Sequence, residues 1–146
     1  MTASSGRAWQ RLLEAVRRQG SAHLVLIDPD RVTPERAASL AGECDVAGAD
    51  AILFGSSTPL TRDPTAVLHG IRRSTRLPVI LFPGGADQLH RDLDAVLFLS
   101  LLSGRDPRFL IEEQLRAAPR VLEWGLESIP TAYLLVGSAD QSPVNS

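Results

Sequence analysis

The chain has one cysteine, no long apolar run and no excess of either charge, and each shortage removes a class of protein. Cys44 alone cannot form an internal disulfide, which fits a reducing compartment and a small, buried, apolar role for the thiol. The longest apolar runs, such as Ala95–Leu99, are far too short to cross a bilayer. The opening stretch, MTASSGRAWQ, lacks the apolar core of a signal peptide. A net charge of -2 and a pI near 5.9 argue against a nucleic-acid or polybasic membrane surface. His23, His69 and His90 have no zinc-like spacing and no cysteine pair to join them, which excludes a zinc site. No G-x-G-x-x-G, G-x-S-x-G or Gly-Lys-Ser/Thr motif occurs, so no dinucleotide fingerprint, nucleophile elbow or P-loop is present. The expectation is a cytoplasmic protein with no nucleic-acid partner and no transmembrane segment.

What is present is a rhythm. At 146 residues, 44% hydrophobic and 22% charged, the chain is large enough for one core. Residues 7–19, RAWQRLLEAVRRQ, set Ala8, Trp9, Leu12, Leu13 and Val16 at helical spacing, with arginines opposite and Gly20 as the stop. The apolar run His23–Ile27 follows. Thr33 reads as an N-cap and Pro34 as the first residue of a helix to about Gly42. Further runs are AILF at 51–54, PVILF at 78–82, AVLFLSLL at 95–102 and AYLLV at 132–136. Between them Asp63-Pro64 opens the helix DPTAVLHGIRR. PRFLIEEQLRAAPRVLEWG reads as a longer helix, interrupted or kinked at Pro119.

Continuous rather than alternating apolar runs indicate strands buried on both faces, hence a parallel sheet covered by helices. The alternation of run and helix is an α/β signature. Asp28, Gly55–Ser57, Pro83–Gly85, Ser103–Gly104 and Gly137–Ser138 each follow a run. They would share the rim where parallel α/β folds bind ligands. One domain is expected through residue 138, with a polar tail at 139–146.

Asp28, Pro29 and Asp30 end the first run. The proline keeps the two carboxylates from sharing a helix face. Asp28 directly ends the strand and is the better candidate for the mouth of the sheet, with Asp30 serving the turn. Turn chemistry alone explains the triplet equally well. FGSSTPLT supplies backbone N–H groups and the hydroxyls of Ser56, Ser57 and Thr58 to an anion or a hard cation, though a capped loop is the plainer reading. Gly84 and Gly85 in FPGGADQ permit close backbone approach or simply a tight turn. Asp28 with a hydroxyl from Ser56 or Ser57 suits Mg²⁺, which takes few protein oxygens and completes its octahedron with phosphates and waters.

The order of the motifs is more specific than any one of them. HLVLIDPDR, GADAILFGSS, LPVILFPGG, DAVLFLSLLSGRDPRFLIEEQLRAAP and LESIPTAYLLV follow one another from about His23 to at least Val136. Together they resemble the geranylgeranylglyceryl phosphate synthase family, which includes bacterial prenylglyceryl phosphate synthases. The resemblance implies a modified (β/α)₈ TIM-type barrel. It implies a prenyltransferase of phospholipid biosynthesis, forming an ether bond between the 3-hydroxyl of sn-glycerol 1-phosphate and a long prenyl diphosphate. It also implies Mg²⁺ on the diphosphate, with Asp28 and Ser57 as the metal ligands, and homo-oligomers. The FPG rim and the groove beside the second to fourth strands would line the prenyl chain.

The sequence departs from that pattern in places. The family usually has Gly-Gly-Ser where this chain has Gly55-Ser56-Ser57, so a side chain is added beside the diphosphate. Leu102-Ser103-Gly104 stands for Leu-Asn-Ser, Glu112 for Gly, and Gly137-Ser138-Ala139 for Asp-Gly-Gly. A (β/α)₈ barrel usually takes about 250 residues, and about five βα units are expected here. No position receives the family's catalytic base or glycerol-phosphate site, so no catalytic residue is assigned and little turnover is expected of the chain alone. The open strand edges would pair with another chain or aggregate. Two other readings are a non-catalytic half-barrel that binds Mg²⁺-diphosphate weakly and, less supported, an open-sheet phospho-ligand domain.

Overall fold

Five short segments, β1 (Leu24–Ile27), β2 (Ala51–Phe54), β3 (Val79–Leu81), β4 (Ala95–Leu101) and β5 (Glu127–Tyr133), pair in chain order into one all-parallel sheet. The computed structural model describes residues 7–136. The tail expected at 139–146 and the Gly137–Ser138 rim lie outside the described residues.

Each face of the sheet packs apolar residues against helices. On one face Ile52, Phe54, Val79, Leu81 and Val96 pack with residues of three helices, α2 (Pro34–Val46), α3 (Thr65–Ser74) and α4 (Glu113–Trp124). On the other face Ala51, Ile80, Ala95 and Ile129 pack with Ala8 and Leu12 of α1 (Arg7–Gln19). Strands in sequence order, with every connecting helix on one face, curl into a β/α barrel wall; a doubly wound sheet would place helices on both faces. The chain therefore has the α/β fold of the TIM-barrel type, with five strands among the described residues. Helix α1 seats on the inner face, where the Glu127 carboxylate at the start of β5 accepts the Ala8 and Trp9 N–H groups (2.9 and 3.0 Å). No helix among the described residues is long and apolar enough to cross a membrane.

Helix α2 begins as expected. The Thr33 hydroxyl accepts the Arg36 N–H at 3.2 Å and Pro34 follows at the first position. It runs past Gly42 to Val46, because Ala37 and Ala41 are fully buried against the sheet and the apolar stripe continues to Cys44. At α3 the Asp63 carboxylate takes the N–H and hydroxyl of Thr65.

Two expectations are corrected. Of the interruption or kink expected at Pro119, the interruption is absent: α4 is continuous from Glu113 to Trp124. Pro119 and Leu115, whose carbonyl loses its partner, are both exposed, so the freed carbonyl faces solvent rather than the core. The irregularity lies upstream, in a π turn over Arg108–Glu112 closed by the Glu113 N–H on the Arg108 carbonyl. The fifth strand is not AYLLV at 132–136 but Glu127–Tyr133. Its polar residues and Pro130 hide it from an apolar-run search. The proline is tolerated because β5 pairs only with β4 among the described residues, leaving one side without ladder bonds.

Candidate active site

The strand ends create the site by being unequal. Strand β3 shares two register pairs with β4, whereas β4 shares seven with β5. After Leu81 the Phe82 N–H bonds back to the Phe54 carbonyl, and Pro83, which has no N–H, ends the ladder. The stretch Leu97–Leu101 of β4 is left without a β3 partner. A cavity of about 430 Å³ opens there, at the C-terminal ends of the strands.

One end of the cavity is polar. Asp28, Arg31, Ser56 and Ser57 line it from the loops after β1 and β2. The Ser56 hydroxyl donates to Asp28 Oδ2 at 3.2 Å, and Arg31 Nε lies 3.4 Å from the same oxygen. Asp28 Oδ1 accepts the Asp30 N–H at 3.0 Å, which closes the turn around Pro29. The other end is apolar. Phe98 and Leu99 of β4, Tyr133 of β5, Phe109 of the π turn and Ala117 of α4 line it. Neighbouring strands sit about 4.8 Å apart, so the two or three strand spacings between these ends separate them by roughly 10–14 Å.

The loops between the ends are locked. Gln88, 2% exposed, accepts the N–H groups of Ser56 and Gly84 on Oε1 (3.2 and 3.1 Å). Its Nε2 donates to the carbonyls of Ser56 and Thr58 (2.9 and 3.0 Å). Four bonds from one buried side chain staple the β2 loop to the β3 loop. The staple requires close backbone approach: a Cβ on Gly55 would lie 2.1 Å from the Phe82 carbonyl oxygen, and one on Gly84 2.2 Å from that of Ser56. Gly55 also takes φ +146°, which side chains rarely adopt.

Two residues of α4 complete the wall. Glu113 accepts the Ala86 N–H at 2.7 Å and pairs with Arg108 and Arg116 at 3.0 and 2.8 Å. Burial opposes its charge, but the Ala86 N–H and the two guanidiniums prevail and hold the carboxyl below the usual glutamate range. Gln114 donates through Nε2 to the Leu99 carbonyl, on the stretch of β4 that β3 does not reach. Tyr133 meets Phe82 edge-on, with ring centroids 5.6 Å apart across the inner face.

The structure brings Asp28 and Ser57 into one cavity wall, and it is Ser56, not Ser57, that touches Asp28. Ser56 is 7% exposed and spends its hydroxyl on Asp28 and Thr58. Ser57 is exposed at the mouth. Asp30 stays outside the lining. It accepts the Thr61 N–H at 2.9 Å, and Arg62 donates to its carbonyl, so it anchors the loop before α3. Sequence reasoning missed Gln88, Arg31, Phe109, Glu113 and Gln114. Only Arg31, next to the Asp-Pro-Asp turn, carried a local signal. The asset of this arrangement is a carboxylate and hydroxyls at one end of a groove that is otherwise apolar.

Comparison with known proteins identifies the family. The chain matches the PcrB family over residues 14–144. It is 44% identical over 133 residues to a geranylgeranylglyceryl phosphate synthase of Thermofilum pendens, covering 90% of this chain and 52% of the relative. The one from Methanopyrus kandleri is 45% identical over 122 residues, covering 84% and 51%. Among solved structures, the (S)-3-O-geranylgeranylglyceryl phosphate synthase of Thermoplasma acidophilum, in complex with substrate sn-glycerol-1-phosphate, superposes with a TM-score of 0.79 at 32% identity, covering 88% of this chain and 52% of that one. Wild-type GGGPS from Thermoplasma volcanium gives 0.76 at 35% identity, covering 84% and 51%. The chain spans about half the length of the curated relatives it matches. A match of this extent, with relatives above 40% identity, makes the chain a member of the PcrB family, alongside the geranylgeranylglyceryl phosphate synthases.

Proposed function

We propose that this chain supplies the prenyl-diphosphate site of an Mg²⁺-dependent prenyltransferase that joins sn-glycerol 1-phosphate to a long prenyl chain through an ether bond. The observation that carries the reading is the two-ended cavity: Asp28, Ser56, Ser57 and Arg31 at one end and Phe98, Phe109, Ala117 and Tyr133 at the other. A prenyl diphosphate is charged at one end and apolar along the rest, and it fits in one orientation.

Asp28 and the exposed Ser57 fit a Mg²⁺ site in chemistry. They offer a carboxylate and a hydroxyl, hard oxygens at an open mouth that leave room for waters and phosphate oxygens. Bound there, the ion would neutralise charge on the departing diphosphate. Arg31, held against Asp28, adds a cation to the same mouth. The apolar wall keeps water from the allylic carbon, whose bond to diphosphate oxygen breaks as the bond to the glycerol oxygen forms. The hydroxyl proton passes to a base that we do not assign. Of the carboxylates in the cavity wall, Glu113 is already held by two arginines and an N–H, and Asp28 belongs to the head-group end. The reading extends to a cytoplasmic location and to self-association through the open edges of the sheet.

The test is direct binding by isothermal titration, with geranylgeranyl diphosphate titrated with and without Mg²⁺ and a radiolabel assay for ether product run in parallel. Mg²⁺-dependent binding supports the reading. Binding indifferent to Mg²⁺, or none, overturns it.

A further inference from the structure

The opposite end of the barrel wall carries a second cleft, of about 230 Å³, at the N-terminal ends of the strands. Arg7 and Arg11 reach it from α1, Arg72 from α3, and Arg76 from the loop before β3; Asp94 completes the charged lining. All 15 basic residues of the chain are arginine. Four of them converge here from three separate elements.

Such convergence is unfavourable without a counter-charge, since like charges a few ångströms apart repel even at the surface. The nearby carboxylates offset that charge only in part. Asp94 Oδ2 accepts the Val79 N–H and pairs with Arg72, both at 2.8 Å. Asp45 accepts the Thr75 hydroxyl and the Arg76 N–H at 2.7 and 3.1 Å, and those bonds, with the nearby charges of Arg11 and Arg76, hold its carboxyl below the usual range. Glu127 is taken by the N–H groups of Ala8 and Trp9. Each of these bonds also fixes an element that bears an arginine. Asp94 orients Arg72, Asp45 orients the Arg76 backbone, Glu127 anchors α1, and Arg11 Nη1 donates to the Arg76 carbonyl at 2.7 Å. The cleft is thus a rigid frame with arginine forks left over.

We infer that this cleft is an anion site for a compact, multiply charged phosphate group, separate from the diphosphate end of the large cavity. Planar guanidiniums match phosphate oxygens two at a time. The volume is below the roughly 300–1,000 Å³ of drug-sized pockets, and it suits a pyrophosphate or a phosphomonoester head group rather than a large ligand. The chemistry is common to a free phosphate and to the head group of an anionic lipid.

The experiment titrates sodium pyrophosphate into the full chain in EDTA, following the backbone amides of Arg76, Leu77 and Ala8 by NMR. A second arm uses vesicles of phosphatidic acid against phosphatidylcholine. Saturable shifts at those amides, weakened at least about tenfold in R11Q/R76Q and retained in R31Q, are expected. Preference for phosphatidic acid vesicles that the same double variant abolishes assigns the lipid source. Pyrophosphate shifts without vesicle preference assign the soluble one. Absence of binding in both arms, or binding that survives R11Q/R76Q and disappears in R31Q, overturns the inference. Circular dichroism of the double variant checks that it is folded, and R7Q/R76Q, which spares the Arg11 hydrogen bond, repeats the test if it is not.

Discussion

The two ends of the large cavity are built by different forces. At the β1–β2 end the loops are cross-linked by polar bonds: Gln88 makes four, Asp28 three and Asp30 anchors the next loop. At the β4–β5 end the wall is aromatic and aliphatic, and the Gln114 bond to Leu99 lies on the stretch of β4 that β3 does not reach. Directional bonds fix positions to fractions of an ångström, which suits a charged head group and a small ion. Non-directional packing tolerates a chain of variable length. The difference matches an amphipathic ligand.

The largest effect should come from G55A. Its added methyl would stand 2.1 Å from the Phe82 carbonyl at a φ of +146°. A loss of about 3 kcal/mol or more is expected in urea unfolding, with loss of Mg²⁺-dependent diphosphate binding. Next is Q88L, which leaves two N–H groups and two carbonyls unpaired between the loops. A cost of about 2–4 kcal/mol follows, and calorimetry of the variant checks it. Replacing Phe109 by alanine should leave stability nearly unchanged, because the ring is only half-buried. It should weaken geranylgeranyl diphosphate by about 1 kcal/mol of lost apolar contact while pyrophosphate affinity holds. Equal losses for both ligands would show that the tail does not lie against the π turn.

The smallest effect is a pH dependence. The Glu113 carboxyl is held below its usual range, so its contribution to stability is complete above a pH of about 4.3 and disappears as pH falls through its lowered folded value. The E113Q variant should lack that acid-limb component in unfolding midpoints taken between about pH 5 and 2. An acid limb identical to that of the unchanged chain would exclude Glu113 as its source.

Local signals were legible in the sequence, and distant ones were not. The span of α1 and that of β2 follow from apolar spacing alone, and Thr33 caps α2 as its hydroxyl and the following proline require. Asp28 stands at a strand end because a continuous apolar run stops there. Strand β5 escaped because its fold-determining feature is pairing to β4, not composition. Gln88 escaped for a similar reason: its partners Ser56 and Thr58 lie 32 and 30 residues away, and nothing in Ala-Asp-Gln announces a buried staple. The choice between Ser56 and Ser57 depended on which side chain turned toward Asp28, and the backbone turn at Gly55 decides that.

The central claim is that Asp28 holds the metal-diphosphate end of the cavity while Asp30 serves only the loop. The most direct measurement is Mg²⁺-dependent binding of geranylgeranyl diphosphate to D28N and D30N side by side. The account predicts that D28N weakens binding by at least about tenfold while D30N, with its backbone contacts retained, stays within about threefold. Equal losses in the two variants would contradict it.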